Sequence, residues 1–134
     1  MCATDSCRHP LSDLLLSFTV PGNPIPKARP RHGKGRSFTP KETVLAEQHV
    51  RETFRAEFPL WEPSIEDLRF EADFYRETGH HCDTDNLLKL CTDALNAVAY
   101  VDDTQISHIR GRRIYRAGAK ARTEIRIFIA GDVA

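Results

Sequence analysis

Apolar residues recur along this chain with two different periods, and the switches between them mark its elements. Leu15 to Val20 form a short apolar run that stops at Pro21-Gly22, which predicts a strand. A stretch rich in Pro, Gly, Lys and Arg then runs to Phe38, and loops of that length inside compact domains are usually functional or mobile. Thr39-Pro40-Lys41-Glu42 reads as a capping box with proline at the first helical position. It predicts a helix from Pro40 to Phe58, ended by Pro59, with Ala46, Val50, Phe54 and Phe58 as its buried stripe.

The period then shortens to two. Leu68, Phe70, Ala72 and Phe74 alternate with Arg69, Glu71, Asp73 and Tyr75, the pattern of a half-buried strand. A second helix is expected from Thr84 to Val98, burying Leu88, Cys91, Leu95 and Val98 while Asp85, Lys89, Asp93 and Asn96 share another face. Ile106–Arg116 and Arg122–Ile129 read as two further strands joined by Ala117-Gly118-Ala119-Lys120. In the last of them Thr123, Ile125, Ile127 and Ile129 alternate with Glu124, Arg126 and Phe128. The order β-α-β-α-β-β predicts an α/β (α+β) single domain, a mixed sheet with packed helices, over residues 13–134. Residues 1–12 carry no periodic pattern and are expected to be a flexible tail. No repeat or low-complexity tract interrupts the domain.

Composition agrees with one compact domain, because 134 residues can bury a core but leave no room for two ordinary domains. Nineteen basic side chains balance nineteen acidic ones, so net charge by itself is silent about nucleic acid. Their placement is more informative. Residues 27–36 hold five Lys/Arg and no acid, residues 110–126 hold seven against Glu124 alone, and ten acids lie between Glu42 and Glu77. Phosphate binding depends on local cations and counterion release, so such a chain can present a basic face to DNA. Lys27, Arg29, Arg31, Lys34, Arg36, Arg110, Arg112 and Arg113 are the candidate DNA contacts, and Arg116 extends the second group. A solvated loop or strand face accounts for either stretch taken singly.

Between Asp83 and Gln105 the chain reads DTDNLLKLCTDALNAVAYVDDTQ. Asp83 and Asp85 stand at an expected helix start, Lys89 one turn further in, and Asp102-Asp103 where a strand is about to begin. Mg²⁺ takes hard oxygen ligands, few of them from protein, and can polarise a phosphodiester and neutralise its leaving oxygen. Lysine is a mobile point charge suited to a scissile phosphate. If the helix folds back so that its ends meet a sheet edge, these groups can converge. The plainer reading is acids favouring a helix dipole, an Asp85–Lys89 ion pair at i,i+4 and an Asp-Asp turn.

The whole string decides between them. D-x-D-N-L-x-K-x-x-x-D-x-L-N followed by D-D-x-Q resembles the signature of the RusA family of Holliday junction resolvases. FTVPGNPIPKARPR, from Phe18 to Arg31, is similar to the first strand and the proline- and arginine-rich loop that open that family's domain. The resemblance covers about residues 14 to 130. It implies an α/β domain, dependence on Mg²⁺ (or Mn²⁺), a homodimer, and hydrolysis of paired phosphodiesters in four-way DNA junctions during recombination and repair. Residue by residue, it makes Asp83, Asp85 and Asp103 metal-binding and catalytic and Lys89 the catalytic lysine. Asn86 and Asp102 are expected to support them, and Asp93 to pair with a cation. A nuclease of relaxed specificity on DNA or RNA, or a branched-DNA-binding protein without catalysis, are the alternatives.

The remaining signals are weaker. Cys2, Cys7, Cys82 and Cys91 lack zinc spacing, and Cys91 sits on the apolar helix face. His80, His81 and Cys82 read as polar loop residues beside the aspartates. The longest apolar run near the N-terminus is Leu14–Leu16, so a cytoplasmic protein with reduced thiols is expected. Val98–Val101 and an exposed Phe128 could serve a dimer interface, with core packing as the equal alternative.

Overall fold

The computed structural model describes residues 13–28, 31–33, 36–38 and 40–131, the two short segments 31–33 and 36–38 by their backbone alone. Strands β1 (Leu14–Pro21), β4 (Leu68–Tyr75), β5 (Ile106–Ile114) and β6 (Arg122–Ile129) form one mixed sheet in the order β1-β6-β4-β5. Strands β2 (Arg31–Gly33) and β3 (Arg36–Phe38) pair as a separate two-stranded ribbon. Helices α1 (Lys41–Glu57) and α2 (Thr84–Ala94) pack against each other, α1 also against β1 and α2 against β5.

Alternation in β4 produces this two-layer arrangement. Leu68, Phe70, Ala72 and Phe74 are all buried, and they meet Ile129, Ile127, Ile125 and Thr123 of β6 in antiparallel register. Leu16, Phe18 and Val20 of β1 extend the same face, and Val50 and Phe54 of α1 cover it. Phe18, Phe54, Phe58 and Trp61 close one end of this core with centroids 5.1–6.3 Å apart, edge to face except for the tilted pair Phe54–Phe58. Each such side chain removed from water contributes about 1.5–3 kcal/mol. β4 and β5 run parallel, which demands a long crossover, and α2 supplies it.

The second helix differs from its expected form in two ways. It ends at Ala94, not Val98, because Leu95–Ala99 tighten into turns, with Val98 and Ala99 N–H donating to the Leu95 carbonyl and Ala97 at φ 61°. Its buried stripe is Leu87, Leu90, Cys91 and Ala94, while Leu88 is half-buried over Gly111. A Cβ at Gly111 would stand 2.7 Å from the Leu88 Cδ1 and 3.0 Å from the Thr84 Cγ2, so α2 lies this close to β5 only over a glycine.

Other boundaries shift by a residue or two. α1 starts at Lys41, with Pro40 at the N-cap making no side-chain bond; Thr39 of the expected capping box lies outside the described residues, as do Arg29, Lys34 and the expected tail. β5 stops at Ile114 and Arg116 takes φ 62°. The two last strands follow each other in sequence but do not pair, since β4 lies between them.

Phe128 is 3% exposed, not open to solvent, because the Arg69 guanidinium of the neighbouring strand lies 4.0 Å over its ring. Val98, Ala99 and Tyr100 are likewise buried within the chain, so core packing is the reading that holds for these positions and for Phe128; Val101 is exposed. Among the described residues no helix is long and apolar enough to cross a membrane.

Candidate active site

Helix α2 carries the first half of the acidic motif. Asp83 is its N-cap residue, yet the carboxylate makes no capping bond and stays turned outward, 62% exposed. Its Oδ1 lies 3.2 Å from His81 Nε2, whose other ring nitrogen lies 3.4 Å from the Tyr115 hydroxyl. The Cys82 N–H donates to that hydroxyl at 3.4 Å. Arg113 donates to the Cys82 carbonyl and lies 4.8 Å from the centre of the Tyr115 ring. The loop that delivers Asp83 is thus tied to the C-terminal end of β5. Asp85, in the first helical turn, is exposed.

One turn on, the Lys89 ammonium pairs with Asp93 Oδ1 at 3.1 Å. The other oxygen of Asp93 takes Lys27 Nζ, also at 3.1 Å, and Lys27 reaches Glu47 of α1 at 2.5 Å. Burial alone would lower the Lys27 pKa, but hydrogen bonds and charge from Glu47 and Asp93 outweigh it and hold the ammonium above the ordinary lysine range. Backbone bonds fix the same loop: Lys27 N–H donates to the Asn86 carbonyl at 2.9 Å and Ala28 N–H to the Thr43 hydroxyl at 3.2 Å. Asn86 therefore acts here through its main chain.

Asp102 and Asp103 have separate tasks. Asp102 caps a 3-10 turn, Asp103–Gln105, accepting from the Thr104 hydroxyl at 2.6 Å and from its N–H at 3.2 Å. Those bonds hold its carboxyl below the usual carboxylate range. Gln105 completes the capping box, accepting from the Asp102 N–H at 2.9 Å, and its amide donates to the Ser64 and Glu66 carbonyls. Asp103 is held by Asn96, whose amide oxygen accepts the Asp103 N–H at 2.8 Å and whose nitrogen lies 3.4 Å from its Oδ2. Asn96 is a positioning residue absent from the expected site; its place in the D-x-L-N run was the available signal. Nearby, the buried Tyr100 hydroxyl donates to the Thr92 carbonyl at 2.7 Å. Burial first, then the charge of Asp103, pushes its pKa upward.

The expected convergence does not occur within one chain. Among the described residues no group of three or more His, Cys, Asp or Glu is drawn together closely enough to hold a metal ion. Asp83 and Asp85 stand at one end of α2, and the Asn96–Asp103 pair lies past the other. The donors have the hard oxygen chemistry that Mg²⁺ takes, but the fold holds the two ends of the set apart. Of the two described cysteines, Cys91 is buried, which pushes its thiol up to about 12, outside reactive use.

The basic residues divide as well. Arg113 shares the helix side of β5 with Gly111, whereas Arg110 and Arg112, offset by one in the strand, point to the opposite face. There Arg112 pairs with Asp73 at 3.3 Å and Arg126 reaches Asp73 and Glu71 at 3.3 and 3.6 Å. Arg116 is exposed, its guanidinium passing over Gly79. Lys27 is three-quarters covered and engaged by two carboxylates, so its charge is spent inside the chain. Arg31 and Arg36 stand on facing strands of the β2-β3 ribbon, and nothing is described of their side chains.

A search of curated proteins returned no match. The family model for endodeoxyribonuclease RusA matches residues 21–128, a span that takes in the proline-rich loop, α2 with both pairs of aspartates, and strands β4, β5 and β6 up to Phe128. On that match, over most of its length, the chain belongs to the RusA family of endodeoxyribonucleases.

Proposed function

We propose that this protein is a divalent-metal-dependent endonuclease that resolves Holliday junctions, cutting paired phosphodiesters in branched DNA during recombination and repair. The observation that carries the reading is the RusA family match over residues 21–128 with every acid of the motif and Lys89 in place. Asp83, Asp85 and Asp103 are the metal-holding set, with Mg²⁺ as the working ion and Mn²⁺ as its substitute. A bound ion of that kind would supply charge neutralisation at the reacting phosphate. Lys89, 57% exposed at its side chain and anchored by Asp93, is placed to meet a phosphate oxygen and stabilise its growing charge.

Binding falls to the basic groups. Arg29, Arg31, Lys34 and Arg36 of the proline-rich loop and ribbon contact the DNA backbone, with Arg110, Arg112 and Arg113 of β5 further out. A homodimer in the cytoplasm suits the substrate, since a four-way junction presents two symmetric strands and a C2 dimer two centres.

The test is cleavage of a labelled mobile four-way junction against matching linear duplex at fixed salt, with Mg²⁺ or EDTA, beside Asp103→Asn. Paired symmetric nicks on the junction alone, dependent on metal and on Asp103, are expected. Equal cutting of both DNAs would replace the reading with a general nuclease, and binding without cutting with a recognition module.

A further inference from the structure

Arg76 follows directly on β4, continues the buried side of that strand past Phe74 and is 8% exposed. Its main chain is fixed on both sides, the N–H donating to the Ile114 carbonyl at 2.7 Å and the carbonyl accepting from the Ala117 N–H at 2.8 Å. Among the described residues its guanidinium meets no carboxylate. Nη1 donates to the Pro24 carbonyl at 2.5 Å, and the buried Nε has no partner. Taking a guanidinium out of water for one neutral acceptor costs more than the bond returns, and an apolar side chain of similar volume would fill the space at less cost. A charge kept on those terms has its use at the acceptor.

That acceptor lies in the bend Asn23–Pro26, which opens the proline-rich loop. Pro24 and Pro26 carry no N–H, so the bend has few donors and has to be held through its acceptors. Two are gripped, both from the end of β4: Asn23 Oδ1 accepts from the Glu77 N–H at 2.8 Å, and the carbonyl of the buried Pro24 accepts from Arg76. Ile25 packs on the core, but a small apolar cavity lined by Pro24, Ile25, Ala46, Leu90 and Cys91 lies beneath the bend, so packing seats it only in part. The next residues tie across to both helices, Lys27 to Asn86 and Asp93 of α2 and Glu47 of α1, and Ala28 to Thr43 of α1.

We infer that Arg76 is a positioning residue for the DNA-contacting loop: its guanidinium seats the Asn23–Pro26 bend and so fixes the place from which the chain departs toward the basic residues Arg29 to Arg36. The inference rests on the reading of those residues as contacts to the DNA backbone. A loop already held in one place loses less freedom when it meets its ligand, so the grip acts on affinity. Arg76 itself is too deeply covered to touch a phosphate, and it works through Pro24.

Arg76→Met separates positioning from stability, because it removes the charge and the donor and keeps most of the volume. The urea midpoint should be unchanged or higher, as expected when an unpaired buried charge is replaced by an apolar side chain. The Lys27 and Ala28 amides should exchange with deuterium about ten-fold faster or more, the factor that one hydrogen bond to a charged group is worth. Binding of a four-way junction in EDTA should weaken, with the slope of log affinity against log salt shallower by about one or more as phosphate contacts are lost. Arg76→Lys, which keeps the charge on a shorter donor, should fall between methionine and wild type, and it gives the same ordering if the methionine variant does not fold. Unchanged exchange at Lys27 and Ala28 would overturn the inference, and so would faster exchange throughout the chain with a lowered midpoint, or an unchanged salt slope despite loosened amides. Wild-type protein that binds neither junction nor duplex removes the functional reading instead; that failure appears before any variant is made, and the exchange experiment, which needs no DNA, still reads the grip on the bend.

Discussion

Lys27 and Lys89 share one carboxylate: each ammonium lies 3.1 Å from a different oxygen of Asp93. The first lysine comes from the proline-rich loop and carries Glu47 of α1 on its other side, so the second is referred to a scaffold outside its own helix. Asp93→Asn keeps the shape and removes the charge that fixes Lys89. Junction cleavage is expected to fall about ten-fold, while the mostly screened ion pairs cost only about 1 kcal/mol of stability. Single-turnover rates with saturating DNA, set beside denaturant unfolding, check it. In a Lys89→Ala background the same substitution should have little further effect on rate.

Asn96→Ala should act on the placing of Asp103 while leaving all three aspartates themselves intact. It removes the acceptor for the Asp103 N–H and the amide beside its carboxylate. Each such bond contributes about 1 kcal/mol net, so melting drops by a few degrees. Cleavage should drop by about ten-fold or more, since a displaced ligand group costs more in rate than in folding. Equal relative losses in a stability assay and in rate would make Asn96 merely structural.

Gly111→Ala tests the packing of α2 on β5. The new Cβ would enter the space of Leu88 and Thr84, and overpacking of this kind costs about 1–3 kcal/mol. Gly111→Ala combined with Leu88→Ala should recover part of the loss, as urea unfolding midpoints would report.

Lys27 predicts an alkaline limit on stability. Its folded pKa is raised above the usual 10.5, so the stabilisation it gives is complete below that value and is lost as pH rises through the folded pKa. Lys27→Met should be less stable than wild type at neutral pH, and the gap should narrow above about pH 10.5. Unfolding curves from pH 8 upward decide it; a gap that stays constant would assign the cost to packing.

Much of the frame could be read from residue order. β4 is legible because its alternation is strict and both faces obey it, and α1 because its stripe repeats at helical spacing between two prolines. α2 was harder: Leu87, Leu88, Leu90 and Cys91 offer two overlapping stripes, and contact with Gly111 decides which faces inward. Its early end depends on turns that let Asn96 meet Asp103, a tertiary pairing seven residues apart. Phe128 reads as a surface residue in its own strand and is covered by Arg69 from the next. The aspartates were found by their spacing, but spacing along a chain carries no information on whether α2 returns them to one point or holds them apart.

The pairing of β1 with β6 bears on how this protein is made. Leu14 lies opposite Phe128 and Pro21 opposite Arg122, so β1 can be zipped to β6 only after α1, β4, α2 and β5 have been made. Both neighbours of β6 must wait for it, and long-range pairings of this kind close slowly. On the ribosome the apolar side of β1, with Leu16, Phe18 and Val20, stays without its strand partner until β6 has emerged. That interval, and not the finished fold, is where the chain is most exposed to aggregation.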